Sequence, residues 1–203
     1  MTEEELRLLS RRLAQEPEAT AGQGDHSLNP HLRRETAGRL LKPAAVLVPV
    51  VIRQPQLQVL FTRRADHLAR HAGQVSFPGG RLNHDVEPAV EAALRETEEE
   101  IGLVRDHVEI LAQLDSYETG TGFCIQPFIG IVREGFALKV DPEEVAEVFE
   151  VPLAFLMDER NHETHSGVWQ GAERRYHAIS FGRHYIWGAT AGILVNMHKR
   201  LLR

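Results

Sequence analysis

The chain has 203 residues, 42% of them hydrophobic and 26% charged, an ordinary balance for one globular domain long enough to bury a substantial core. Its formal net charge of −6 argues against a general nucleic-acid binder, which carries a basic footprint, and no apolar run approaches the ~20 residues that span a bilayer. A lone cysteine, Cys124, cannot form an internal disulfide, and the acidic opening does not resemble a secretory leader, so a cytoplasmic location is expected.

In chain order, Thr2-x-x-Glu5 reads as a capping box, and Leu6, Leu9 and Leu13 follow at helical spacing, predicting a short amphipathic helix. Pro17 to Gly38 is rich in Gly, Pro, Asn and charge and reads as a loop or linker, so residues 1–39 form a helix and linker ahead of a domain at 40–203. Ala44–Ile52 and Gln56–Thr62 read as strands joined by a turn at Arg53–Pro55, and Gln74–Phe77 as a short strand. Val108–Thr119 and Phe123–Arg133 are expected to pair across Gly120–Gly122, with Cys124 serving the packing of its strand. Val148–Leu156 and Arg175–Phe181 read as later strands, and Ile186–Leu202 as a closing helix. Strands, helix, strands and helix in that order predict mixed α and β layers.

The segment Pro88 to Ile101 carries the chemistry. On a helical wheel Val90, Leu94, Thr97 and Ile101 share one face, while Glu96, Glu99 and Glu100 gather on the other. Pro88 suits the first turn and Gly102 the left-handed stop. Carboxylates so crowded repel one another. A hard, oxygen-seeking cation reverses the sign of that interaction, and Mg²⁺ or Mn²⁺ fits best. A solvated acidic face is the plain alternative for such a run, weighed against the adjacent Gly79-Gly80 loop and Arg95.

The pattern resembles the Nudix box, written G-x5-E-x7-R-E-U-x-E-E-x-G-U with U a bulky aliphatic residue. Gly80, Glu87, Arg95, Glu96, Glu99, Glu100, Gly102 and Leu103 align with it. There are two departures: six residues separate Gly80 from Glu87, and Thr97 stands at an aliphatic position. The longer spacing, together with the upstream run from Leu60 to Gly80, resembles the coenzyme A pyrophosphatase branch of that superfamily. The resemblance covers roughly Leu40 to Arg203 and implies an α/β/α sandwich around a mixed β-sheet.

It also implies metal-dependent hydrolysis of the pyrophosphate of coenzyme A or an acyl derivative, giving adenosine 3′,5′-bisphosphate and 4′-phosphopantetheine with any acyl group attached. Glu96 and Glu100 are the first metal ligands expected, with Glu99 as a third ligand or acting through a metal-bound water. The general base is open between Glu100 and the Asp141–Glu144 segment, where Glu144 is the candidate; that segment also reads as a helix start after Pro142. Arg63, Arg70, His71 and Gln74 carry over as the branch signature for substrate binding, with Arg64 also placed to bind phosphate or to sit on an exposed strand end. Gly79 and Gly80 are expected to make the tight turn before the helix, and Arg95 to pair with a box glutamate. No zinc pattern emerges from the eleven histidines; His162 and His165 read as loop or core residues, and Trp169–Arg175 as a pocket edge. The expected partner is a small molecule, neither nucleic acid nor membrane, with a homodimer open. Hydrolysis of NADH or ADP-ribose, and nucleotide binding without turnover, stand as alternatives.

Overall fold

Alternation along the first long strand sets the architecture. The computed structural model describes residues 1–15, 23–32, 38, 40–53, 55–83, 86–169 and 171–201, with side chains except at 12–15. Strand β2 (Lys42–Arg53) sends Ala45 and Leu47 to one face, against Ala92, Ala93 and Leu94 of helix α2 (Ala89–Ile101). Val48 and Val50 go to the other face, against Ile193, Leu194 and Met197 of helix α4 (Ala189–Leu201) and Leu6 of helix α1 (Glu3–Gln15). A strand buried on both faces belongs in the middle of a three-layer sandwich.

The main sheet is mixed. β2 runs parallel to β8 (Phe123–Val132) from Lys42↔Phe123 to Val51↔Val132, and antiparallel to β3 (Gln56–Arg64). β3 continues to β4 (Val75–Ser76) and β9 (Val145–Pro152), while β5 (Gly79–Arg81) pairs with β2. On the far side β8 carries β6 (Val108–Gln113) and β7 (Tyr117–Glu118), and β7 receives β1 (Gln23–Gly24). A separate antiparallel sheet joins β10 (Glu163–Trp169), β11 (Ala172–Phe181) and β12 (His184–Trp187); α3 is the single turn Leu153–Leu156. The mixed sheet with flanking helices is the architecture expected from the sequence.

Local chemistry explains where elements start and stop. The capping box forms as read: Thr2 N donates to Glu5 Oε2 at 2.7 Å, and Glu5 N to Thr2 Oγ1 at 3.2 Å. Leu6 is fully buried and Leu9 partly so, while the side chain of Leu13 lies outside the described residues. The expected strand Val108–Thr119 is two strands, because Pro127 of β8 has no N–H to continue the antiparallel ladder. Leu114 instead donates its N–H to the Pro127 carbonyl at 3.0 Å. The strand expected at Val148–Leu156 begins at Val145 and ends at Pro152, which caps α3. The closing helix begins at Ala189 rather than Ile186, since Gly188 turns left-handed at φ 64° after β12. β10 was not expected: it is mostly exposed and shows no apolar alternation.

The linker reading needs correction between Gln23 and Leu32. β1 pairs parallel with β7, Leu32 is 2% exposed, and Asn29 bonds β11 through both ends of its amide. Residues 17–22 and 33–37 of that stretch lie outside the described residues.

Gly102 closes α2 at φ 68°, and a Cβ there would stand 2.8 Å from Lys139 N. Gly102→Ala should therefore destabilise the protein by about 1–3 kcal/mol, measured by urea unfolding.

Candidate functional site

Helix α2 delivers three carboxylates into three different environments. Glu99 is exposed, Glu96 half-buried and Glu100 only 4% exposed. The wheel assigned all three to one outward face, but Glu100 falls at the margin where the helix meets the sheet edge. Thr97, at the aliphatic position of the box, is fully buried and satisfies its hydroxyl by donating to Ala93 O at 2.7 Å.

Arg95 gathers the acidic residues. Its Nε donates to Glu87 Oε1 at 2.9 Å, and its Nη1 to Glu96 Oε1 at 2.8 Å and Glu99 Oε2 at 2.9 Å. Nη2 reaches Arg81 O at 3.2 Å and Glu87 Oε2 at 3.3 Å. Glu87 in turn accepts from Asn83 N at 2.6 Å, so one guanidinium ties the loop after β5 to the helix. A planar fork with five donors suits this task; an ammonium does not.

The glycines face the carboxylates directly. Gly79 N donates to Glu100 Oε2 at 3.2 Å, and a Cβ at Gly80 would collide with Glu96 Oε2 at 2.4 Å. Gly79 itself has φ 145°, and a Cβ on it would meet Ala45 O at 2.4 Å. The pair therefore belongs to β5 rather than to a free turn, and its bareness lets the helix carboxylates approach the backbone.

The segment after β8 comes to the site because it completes the end of α2. Lys139 N donates to Ile101 O at 2.8 Å and Asp141 N to Glu100 O at 2.9 Å, satisfying carbonyls that a helix end leaves unpaired. Residues 142–144 then form a turn leading into β9, not the start of a helix. Glu144 is exposed, and its charge raises the carboxyls of both Glu96 and Glu100.

Burial is the main cause pushing the Glu100 carboxyl up to about 8; the Gly79 N–H and the Arg64 guanidinium oppose it, and Glu144 and Glu96 add to it. Glu96 is also raised, first by burial, against the pull of Arg95. Among the described residues no three Asp, Glu, His or Cys side chains converge into a ready cage, and Glu99 is bound to Arg95. Two carboxylates are nonetheless what Mg²⁺ commonly takes from a protein, the rest of its octahedron coming from water and phosphate. Glu96 and Glu100, hard oxygen donors raised first by burial and further by neighbouring negative charge, fit such an ion.

Arg63 and Arg64 are separated by a register shift in β3 and part company there. Arg63 donates to Asp66 Oδ1 at 2.6 Å and lies 3.6 Å from Glu147 Oε2, which fixes the loop after β3. Arg64 Nη1 stands 3.9 Å from Glu100 Oε1, and its Nε is buried with no hydrogen-bond partner among the described residues. Arg64, His71 and Gln74 line a cavity of about 490 Å³, whereas Arg63 and Arg70 are not among its walls. His71 Nδ1 and Gln74 Oε1 are 2.8 Å apart, and His71 has φ 58°, the one positive φ outside glycine among the described residues. Such conformations are costly for a non-glycine residue and concentrate at functional sites.

The rest of that cavity comes from places with little sequence signal. The β10–β11 hairpin contributes Trp169, Arg174, Arg175 and Tyr176. Asp25, Asn29 and Leu32 come from the stretch read as linker, because residues that favour turns are also those whose short side chains bond backbone. His162 Nε2 lies 2.7 Å from Leu156 O and His165 Nε2 2.6 Å from Glu163 Oε2, in structural roles. Cys124 is half-buried in β8, and burial raises its thiol.

The NUDIX domain model matches residues 43–170, so the chain belongs to the Nudix family. It is 36% identical over 167 residues to NudL of Escherichia coli (strain K12), described as an uncharacterized Nudix hydrolase, covering 82% of this chain and 85% of that one. NudL of Shigella boydii matches to the same extent. Among solved structures, a MutT/nudix family protein from Enterococcus faecalis shares the fold with a TM-score of 0.50 at 18% identity, over 100% of this chain and 75% of that one. The protein is thus a Nudix hydrolase of mixed α/β fold. No helix among the described residues is long and apolar enough to cross a membrane.

Two outcomes follow from the charges. Arg95→Ala leaves Glu96 half-buried without its cation and should cost about 2–4 kcal/mol in urea unfolding, with Arg95→Lys restoring only part. Because the folded Glu100 carboxyl titrates above its unfolded value, its contribution is favourable below about pH 4.5 and is lost as pH rises through about 8. In EDTA, Glu100→Gln should therefore melt several degrees above the parent protein at pH 8.5, the gap closing towards pH 5.

Proposed function

We infer that the protein hydrolyses the pyrophosphate of coenzyme A or acyl-coenzyme A, releasing adenosine 3′,5′-bisphosphate and 4′-phosphopantetheine or its acylated form. One observation carries this reading: Arg64, from the branch-type upstream motif, spans from the buried box carboxylate Glu100 to the cavity shared with His71 and Gln74. A phosphate-suited cation thus links the acidic site to a substrate-sized hollow.

Glu96 and Glu100 would hold Mg²⁺ or Mn²⁺, with Glu99 adding its charge from the exposed side. When bound, such an ion supplies charge neutralisation for the phosphates and acidifies water. The chain's own residues do the positioning. Arg64 pairs with a phosphate oxygen, His71 and Gln74 hold the neighbouring one, and the bare backbone of Gly79 and Gly80 leaves room for the pyrophosphate beside Glu96. Arg63 and Arg70 act at the rim, Arg63 by holding the 66–73 loop in place.

A water attacks one phosphorus, the bond to the bridging oxygen breaks, and the bridging oxygen leaves with the other phosphate. Glu144 accepts the proton at a carboxylate oxygen. It is favoured over Glu100 because it is exposed, whereas Glu100 is buried against Gly79 N–H. Ahead of the catalytic domain at 40–203, Asp25, Asn29 and Leu32 of the N-terminal stretch 1–39 then supply a wall to the cavity.

Incubation with coenzyme A, dephospho-coenzyme A, NADH and ADP-ribose, followed by product chromatography, tests this reading. Metal-dependent adenosine 3′,5′-bisphosphate is the expected product, with dephospho-coenzyme A a poorer substrate. Glu100→Gln should lower kcat at least about 100-fold, a loss of ~2.7 kcal/mol in transition-state stabilisation, and Glu144→Gln should lower kcat more than it changes KM. Turnover of NADH or ADP-ribose with silence on coenzyme A would overturn the substrate.

A further inference from the structure

The cavity extends well beyond the groups that hydrolysis uses. Its walls also include Asp25, Asn29 and Leu32, which lie outside the residues matched by the family model, and residues of the β10–β11 hairpin. The carboxylate, amide and hydroxyl groups of Asp25, Asn29 and Thr119 are occupied by protein partners. The Asp25 carboxylate accepts from Tyr117 Oη at 2.9 Å and Gly120 N at 2.7 Å. Asn29 donates to Asp25 O and Arg175 O, both at 2.8 Å, and accepts from Arg175 N at 2.8 Å. Thr119 Oγ1 is 2.9 Å from Thr121 Oγ1 and accepts from Phe123 N at 3.0 Å. The Arg174 guanidinium lies beside Gly120, on the side that also faces the Asp25 carboxylate.

A purine or a ribose is recognised by donors and acceptors aimed at its edge, and a wall whose polar atoms are already paired has few to give. Beside the Arg174 and Arg175 side chains, the wall is built largely from carbon: Phe77, Ile125, Trp187, Ala189 and Ile193, with Tyr176 packed edge-on to Trp187 at 5.4 Å. An aliphatic chain asks only for removal of its surface from water. The same cavity also carries Arg64, His71 and Gln74, where a polar or phosphorylated portion would be held.

We propose that this cavity is a binding site for an aliphatic chain, the acyl arm of the substrate, with Asn29 as the residue that positions its outer wall. The proposal rests on the coenzyme A reading for the identity of the arm, but not for the apolar character of the site. Asn29 clips the N-terminal stretch to β11 as a neighbouring strand would, bonding both the N–H and the C=O of Arg175. An acylated substrate then lies with its phosphates at Arg64 and its chain running towards Trp187 and Ile193. Each methylene fully buried there adds up to about fourfold in affinity, from ~0.8 kcal/mol per CH₂.

Calorimetric titration of the full chain in EDTA with octanoyl-pantetheine and with pantetheine tests the site without turnover, since neither ligand contains phosphate or nucleotide. Octanoyl-pantetheine should bind at least tenfold more tightly. Ala189→Phe, which fills the cavity at the start of α4, should weaken that binding at least tenfold. Trp169→Ala, at the exposed hairpin tip and safe for folding, should weaken it severalfold and carries the test if Ala189→Phe does not fold. Asn29→Ala should weaken octanoyl-pantetheine binding while leaving that of pantetheine unchanged, which a merely destabilised protein would not do.

Equal binding of the two ligands, or no binding of octanoyl-pantetheine, overturns the proposal even if coenzyme A is hydrolysed. Loss of adenosine 3′,5′-bisphosphate binding in Ala189→Phe also overturns it, assigning the cavity to the nucleotide. Tight octanoyl-pantetheine binding without coenzyme A turnover leaves the apolar site standing and overturns only the hydrolase substrate.

Discussion

A carboxylate sits where a carboxylate is costly, and the site is arranged around it. Glu100 is buried at the edge of the sheet, with Glu96 and Glu144 near enough to raise it further. In the absence of a cation its compensation is the Gly79 N–H at 3.2 Å and the Arg64 guanidinium at 3.9 Å. An unpaired buried charge is among the most destabilising features a fold can carry, whereas a divalent ion turns the same cluster into a favourable one. On the proposed metal-binding role of Glu100, stability of the ion-free protein and readiness for catalysis pull in opposite directions.

The surrounding architecture keeps that arrangement from relaxing. Arg95 fixes Glu87, Glu96 and Glu99 together, so the loop after β5 cannot drift from α2. Gly80 allows Glu96 to approach the backbone more closely than any side chain would permit. The end of α2 is stitched to residues 139–141 by backbone hydrogen bonds, which is how Glu144 reaches the acidic site from the start of a distant strand. Beneath all of this, β2 and β8 run parallel over ten paired positions, giving the site a rigid floor.

Most of the fold was legible because its signals are local or periodic. The capping box and Gly102 act through short-range hydrogen bonds and Pro88 by fixing its φ just ahead of the helix, and β2 announces itself by apolar content alone. What escaped was what depends on partners. The break between β6 and β7 arises opposite Pro127, and β10 gains its place only by pairing with β11. The acidic wheel was right about grouping but gave no hint that Glu100 lies buried, since burial is set by the sheet edge. Neighbouring Arg63 and Arg64 look equivalent in sequence, and a register shift between them assigns one to the loop and the other to the site. The role of Asp25 and Asn29 was hidden by composition, which cannot distinguish a turn exposed to water from one whose side chains bond a strand 146 residues away.

Binding of Mn²⁺ to the parent protein and to Glu96→Gln and Glu100→Gln, followed by water-proton relaxation, most directly tests whether this acidic cluster is a metal site. Saturable binding that weakens at least tenfold in each variant, while both retain their fold by circular dichroism, is the predicted result. Binding undiminished in both variants would contradict it and move the metal, and the chemistry, elsewhere in the molecule.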